Sequence, residues 1–359
     1  MTSNRLFWIF ILLLLTAAFT GCATVSFDKP KPHSEAITDT ADTTLGRDVS
    51  QWVVEHGGQS GVYPLSQGMD ALGVRLHLAA MAEKSIDLQY FLMKQDTAGL
   101  VMMNALLKAA DRGVRVRFLL DDIFTTSPDR GLLLLNQHPN IEVRLFNPIS
   151  RRGFAALNFV GDFRQANRRM HNKSYTVDNQ ISVVGGRNIA EEYFDLKTDS
   201  VFIDFDVLVQ GSIATEISAS FDEFWNHSRA VPIDQIAANK KNENLETVRA
   251  DIAEEFDGLY DTVYQQALES QLLQDLISDQ RPMFPAEVRV LSDKPDKLIN
   301  EISEEHMQLA TNLREVLLSA EKEIIVLSPY YVPGKRGVEL LRKLINKGIR
   351  VVIVTNSLA

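Results

Sequence analysis

His171 and Lys173 stand two positions apart in the stretch Arg168-Arg169-Met170-His171-Asn172-Lys173-Ser174-Tyr175-Thr176-Val177-Asp178. Residues 173–178 alternate like a β-strand, so the imidazole and the ammonium face the same side of an extended backbone. Two cationic groups so placed disfavour each other's protonation, which leaves the imidazole neutral and able to act as a nucleophile. Lys173 and Arg187 are suited to the non-bridging oxygens of a phosphodiester, and the Asn188 amide can donate to another. Gly185-Gly186 allows a backbone to approach a ligand closely. Asp178 has the opposite parity to the histidine and lysine, which suits a structural carboxylate or one that supports the site from behind. Scattered histidines and a set of Lys, Arg and Asn donors imply no metal and no other cofactor.

The full spacing is H-x-K-x4-D-x6-G-G-x-N over residues 171–188, and it resembles the signature of the phospholipase D superfamily. The segments Asn167-Arg168-Arg169-Met170-His171-Asn172-Lys173, Gly185-Gly186-Arg187-Asn188-Ile189 and Glu192-Tyr193-Phe194 are similar to the bacterial cardiolipin synthase C group. The resemblance implies His171, Lys173 and Asp178 as catalytic residues, with Arg187 and Asn188 binding the substrate phosphate. It further implies that residues 201–207 form the strand whose acid supports the histidine. Asp204 is the expected partner there, with Asp206, of equal parity, as the competitor and a surface carboxylate on an edge strand as the bland alternative.

The implied activity is a phosphatidyltransferase of the cardiolipin synthase type. His171 would attack phosphorus to give a phosphatidyl-histidine, which an acceptor hydroxyl then displaces. With water as acceptor the same residues would make a phospholipase D hydrolase, and a non-catalytic lipid-binding protein is the third reading. Family members use two such motifs, the second histidine protonating the leaving alkoxide. His171 has the only H-x-K here, so the expectation is a chain impaired alone and completed by a second chain or a further C-terminal half.

Strand and helix patterns surround the motif in βαβ order. Residues 85–92 read as an apolar strand, 97–112 as a helix ended by Gly113, and 114–120 as a second strand. Residues 129–138 read as a helix and 141–146 as a further strand. The series returns later: Ala82-Glu83-Lys84 answers to Ala320-Glu321-Lys322, and Arg112-Gly113-Val114 to Lys347-Gly348-Ile349. The offset is 238 residues at the start and 235 at the end. The expected fold is therefore α/β, a phospholipase D-like mixed sheet flanked by helices, in two pseudo-repeat lobes with the second truncated. Residues 48–232 would form the first lobe, 233–285 a helical bridge and 286–359 the incomplete second lobe.

The N-terminus gives an address. Arg5 precedes the apolar run of residues 6–15, and small residues lead to Thr20-Gly21-Cys22. This is the pattern of a secretory signal over residues 1–21, and the run is too short to span a bilayer. Cys22 is the single cysteine, which rules out an internal disulfide. Its place resembles that of the lipidated cysteine of bacterial lipoproteins, although an uncleaved anchor with Cys22 there by chance fits too. Residues 22–47 are polar and read as a flexible tether. Every version puts the body of the protein in the cell envelope, outside the cytoplasm, at a membrane surface.

A formal net charge of −10 argues against a nucleic-acid partner. Locally the sign reverses. Residues 151–173 hold six Lys or Arg, among them Arg151, Arg152, Arg164, Arg168 and Arg169, against Asp162 alone. Interleaved Phe154, Phe159 and Phe163 suit anionic or zwitterionic phospholipid headgroups, and basic-aromatic loops also suit nucleic acid. The membrane address favours lipid.

Overall fold

A computed structural model describes residues 25–122, 129–149, 169–197, 202–237, 244–247, 249–250, 259–278, 282–298 and 308–356. The expected signal region with Cys22, and the basic loop up to Arg168, lie outside these residues. The chain forms two compact units, Met1–Val290 and Leu291–Ala359.

The first unit is built on a nine-stranded mixed sheet. Its strands are β1 (Ser60–Leu65), β2 (Ser85–Tyr90), β3 (Arg115–Asp121), β4 (Ile141–Phe146), β5 (Ser174–Val177), β6 (Ile181–Gly185), β7 (Asp206–Gln210), β8 (Ala230–Pro232) and β9 (Phe284–Ala286). They lie in the order β8-β4-β3-β2-β5-β6-β7-β1-β9. Strands β2, β3 and β4 run parallel, whereas β5, β6, β7 and β1 are antiparallel to their neighbours. Every residue of β2 is buried, as expected for a central strand covered on both faces.

The helices of this unit are α1 (Thr44–Glu55), α2 (Gly68–Met81), α3 (Thr97–Asp111), α4 (Asp129–Leu135), α5 (Ser212–Asn226), α6 (Leu259–Leu268) and α7 (Gln271–Ile277). Local chemistry fixes their ends. The Asp96 carboxylate accepts from Gly99 N at 3.0 Å and starts α3, and Gly113, at φ +97°, stops it. Between β5 and β6 lies the turn Asp178-Asn179-Gln180, whose first two residues have φ of 49° and 53°. That conformation favours Asn and Asp and matches the twist of a tight hairpin.

Three features depart from the sequence expectations. Residues 29–43 are no free tether but an extended strap along the sheet and α5. Lys31 Nζ donates to the His227 and Ala230 carbonyls, Arg117 to Ser34 O at 2.8 Å, and Asp222 accepts from Ala36 N at 2.8 Å. The polar composition that suggested solvent instead satisfies buried arginines of β3 and β4. Next, α6 and α7 are no bridge: Val263, Ala267, Leu272 and Leu273 join the main core, packed closely enough that a Cβ on Gly73 would meet Ala267 O at 2.0 Å. Lastly, the strand expected over 201–207 begins at Asp206, so Asp204 lies in the segment leading into it.

The second unit contains α8 (Gln308–Leu318), β10 (Glu323–Leu327), α9 (Gly334–Asn346) and β11 (Arg350–Val354). Strands β10 and β11 pair in parallel with Glu323 opposite Arg350, as Ser85 lies opposite Arg115 in β2 and β3. The register reproduces both offsets of the sequence repeat. Gly348, at φ +85°, ends α9 as Gly113 ends α3.

Candidate active site

The sheet topology brings the motif residues to one edge. The ends of β1, β2, β3, β4 and β6 and the beginnings of β5 and β7 meet there, with Gln89 opposite Ser174 and Gly185 opposite Asp206. His171 lies just before β5 and is exposed. Its ring packs edge-on against Phe91, with centroids 4.7 Å apart. Lys173 is 8% exposed; its Nζ lies 5.3 Å from the Phe91 centroid and donates to His171 O at 3.0 Å. Phe91 thus contacts both the imidazole and the ammonium, a role carried by no pattern in the sequence.

Burial lowers the Lys173 pKa from 10.5 to about 8, against the opposing pull of Asp204, Asp206 and Asp121. The cause is desolvation, rather than the neighbouring imidazole that the two-residue spacing suggested. Asp204 is the strongest of the three acids acting on Lys173. Its carboxylate lies so close over Gly186 that a Cβ there would meet Oδ1 at 1.8 Å. The glycine pair therefore makes room for carboxylates of this chain, since Gly185 is crowded by Asp206 in the same way.

Asp206, the competing acid, is fully buried. Its Oδ2 accepts from Arg75 at 2.8 Å and its Oδ1 from Arg187 N at 3.1 Å. Between Asp204 and Asp206, the first is the acid at the accessible edge.

Two motif residues are not where their expected roles require. Asp178 is fully buried in the β5–β6 turn, seven residues and about 20 Å along an extended chain from His171. Its oxygens accept from Glu83 N at 3.0 Å and from Lys84 N and Ser85 N at 2.8 Å each. It anchors the start of β2, at the opposite edge of the sheet, and takes no part in a catalytic cluster. Arg187 is 2% exposed and donates from Nε to Tyr193 O at 3.0 Å, from Nη1 to Leu65 O at 2.9 Å and from Nη2 to Ser66 O at 2.6 Å. Those bonds tie the β6 exit to β1, so the guanidinium is not presented to a phosphate. Opposite parity marks Asp178 as a structural or supporting carboxylate, whereas no parity could reveal the Arg187 arrangement, which depends on a strand distant in sequence.

Asn188 is held between the two roles. Its Oδ1 accepts from Leu92 N at 3.2 Å and its Nδ2 donates to the Tyr193 hydroxyl at 2.9 Å, leaving one amide hydrogen. Arg169, the described member of the basic loop, donates to Asn147 O at 3.0 Å. Asp121 accepts from Met170 N at 2.9 Å and so fixes the approach to His171. Among the described residues no group of three acids, histidines or cysteines could hold a metal, and no helix is long and apolar enough to cross a membrane.

Comparison with known proteins adds lineage to this geometry. A family model described as cardiolipin synthase, PLD-like domain, matches residues 76–225. Cardiolipin synthase C of Escherichia coli is 37% identical over 305 residues, which cover 85% of this chain and 64% of that protein. An uncharacterized protein of Helicobacter pylori is 32% identical over 361 residues, covering 98% of this chain and 70% of that one. The chain thus spans about two thirds of the length of these relatives. Among solved structures, the phosphatidylserine synthase of Haemophilus influenzae aligns with a TM-score of 0.50 at 15% identity, over 87% of this chain and 66% of that one. At that identity the likeness speaks for the fold.

Proposed function

The chain belongs to the phospholipase D superfamily, on its cardiolipin synthase side, and from that premise we propose that it transfers a phosphatidyl group between phospholipids through His171. One observation carries the proposal. An exposed imidazole is braced by Phe91, directly beside a buried lysine whose charge is balanced by Asp204. A neutral imidazole nitrogen attacks phosphorus, the bond to the leaving glycerol oxygen breaks, and a phosphatidyl-histidine forms. A hydroxyl of a second lipid then displaces the histidine and regenerates it. Lys173 stabilises charge on the non-bridging oxygens, the remaining Asn188 hydrogen assists, and Asp204 steadies the cationic side of the site.

The leaving alkoxide needs a proton. A general acid is typically worth about 10²–10⁴-fold in rate, and we assign it to the histidine of a second half-site of the same kind, on this polypeptide's continuation or on another chain. Phospholipids of the cell envelope are the partners, and Cys22 carries the membrane anchor. Labelled fatty acid should mark the wild type and leave Cys22→Ser unmarked; equal marking would end the lipidation reading.

The test of the chemistry is lipid analysis by mass spectrometry. Phosphatidylglycerol vesicles are incubated with the chain, alone and with a partner fragment carrying a second H-x-K-x4-D motif. Cardiolipin is expected with the fragment, together with an acid-labile, base-stable phosphohistidine at residue 171 after rapid quenching. His171→Ala should abolish both. Phosphatidic acid as the sole product would make the enzyme a hydrolase, and turnover by His171→Ala would overturn the assignment.

A further inference from the structure

Two features of the His171 edge remain unused by the proposed chemistry, and they lie on either side of it. The first is the segment before β7. Phe202, Ile203 and Phe205 are 50%, 101% and 52% exposed, and they flank Asp204, the acid acting on Lys173. Elsewhere in the first unit the large exposed apolar side chains of the described residues, such as Val54, Ile277 and Phe284, are isolated in sequence. Three within four consecutive residues form a small apolar tip, of the kind that marks a contact surface rather than scattered surface hydrophobes.

The second feature is where the N-terminal strap leaves the body of the protein. Lys31 is bound to the carbonyls of His227 and Ala230, and the Arg229 guanidinium lies 4.0 Å from the centre of the Phe27 ring. Asn147 N donates to Arg229 O at 2.8 Å, while Asn147 O accepts from Arg169, two residues before His171. Residues 27–31 therefore emerge at the same edge as the active site, beside the β4 and β8 ends. From β8 to β7 the sheet order takes six steps, a span of about 30 Å at ordinary strand spacing, and β5 with His171 lies between. Cys22 is five residues before Phe27, a reach of at most about 17 Å for an extended chain.

We infer that this edge of the sheet is the face that meets the lipid bilayer, gripped at one end by the strap that delivers the N-terminal segment and at the other by Phe202, Ile203 and Phe205 entering the headgroup–acyl boundary. The inference deepens the phospholipid reading proposed above and rests on it. A phospholipid phosphate lies at the headgroup level, so an enzyme touching the surface on both sides of its nucleophile needs no extraction of the lipid into solution. The lipid anchor proposed for Cys22, within about 17 Å of Phe27 along an extended chain, would reach this same edge, which favours lipid over another protein as the occupant.

The test is depth measurement by electron paramagnetic resonance on the full chain in phosphatidylethanolamine–phosphatidylglycerol vesicles. Nitroxides are placed at Ile203→Cys and at Gln137→Cys, an exposed residue by the start of β4, at the opposite edge. The label at 203 is expected to be shielded from an aqueous nickel chelate and accessible to oxygen, its accessibility ratio differing about tenfold from that at 137. The parent chain is labelled in parallel. A signal from its Cys22 would overturn the anchor reading alone, leaving the depth at 203 to be judged by itself. Lys31→Gln, with its fold checked by circular dichroism, should loosen the strap and reduce the shielding at 203 severalfold. Unchanged shielding in that variant would overturn the strap's part in the inference. Equal nickel access at 203 and 137 would overturn the inference as a whole. So would dipolar broadening at 203 without vesicles, which would make a second copy of the chain the occupant.

Discussion

Lys173 concentrates the conflict between stability and activity in a single side chain. Its ammonium is kept at 8% exposure, and its pKa falls from 10.5 to about 8 because burial penalises the charge. Between those values the unfolded chain holds the proton and the folded one does not, so folding stability should rise with pH from about 8 to 10.5. Below that window the buried charge costs the fold about 3 kcal/mol at most, the free-energy equivalent of the lowered pKa. Lys173→Met should therefore raise the denaturation midpoint at pH 7 and lose that advantage above pH 10, while phosphatidyl transfer falls by at least about 100-fold. Activity of the wild type should decline above pH 8 as the ammonium deprotonates. A Met variant no more stable than wild type at pH 7 would contradict the account. Arg187 answers differently, since its three donors serve backbone carbonyls. Arg187→Lys should lower stability and leave the KM for lipid within about twofold in whatever protein folds.

At the scale of elements, the β5–β6 hairpin does two jobs at opposite ends. One end leads into the His171 edge, and the other turns through Asp178, whose carboxylate gathers the first amides of β2. Removing it leaves three backbone donors without their acceptor, at about 1–3 kcal/mol each where water cannot reach. Asp178→Ala is expected to lower unfolding free energy by about 3 kcal/mol or more, read from urea denaturation, with kcat of the remaining folded enzyme nearly unchanged. A selective loss of kcat at full stability would return Asp178 to the catalytic cluster. The strap is a second element with two functions. It accepts hydrogen bonds from the sheet-face arginines at Ser34 O and Pro32 O, and it sets where the N-terminal segment leaves. Deleting residues 29–38 should destabilise the fold by several kcal/mol, because Arg117 and Arg144 are buried and would lose acceptors; a flexible tether could be removed without effect on the denaturation midpoint.

Over the whole molecule, the two units differ in how much core they own. The first contains nearly all the buried apolar side chains in a single cluster, whereas the second has Ile324, Leu344 and Ile349 as its buried centre. Leu327 and Ile325 are 74% and 57% exposed, and a two-stranded sheet is marginal without more cover. Amide hydrogen exchange should therefore be much faster in β10 and β11 than in β2 and β3, by about a hundredfold or more. Equal protection in both pairs would show that the second unit is stabilised by something beyond its own core.

The sequence by itself determined the local grammar. Apolar periodicity and Gly113 marked α3 and β3, the repeat marked β10-α9-β11 as a second copy of β2-α3-β3, and H-x-K spacing marked the proposed nucleophile. Each of these rests on interactions within a few residues or on a pattern repeated along the chain. What Asp178, Arg187, Asp204 and the polar strap do was decided only by tertiary structure. Asp178 acquires its partners from residues 83–85 and Arg187 from β1, and Asp204 reaches Gly186 because β7 pairs with β6. A carboxylate or guanidinium binds whichever donor or acceptor the fold brings near, and burial then decides its charge. Its residue type names the chemistry available, and the neighbouring strands decide whether that chemistry meets a substrate or the protein's own backbone.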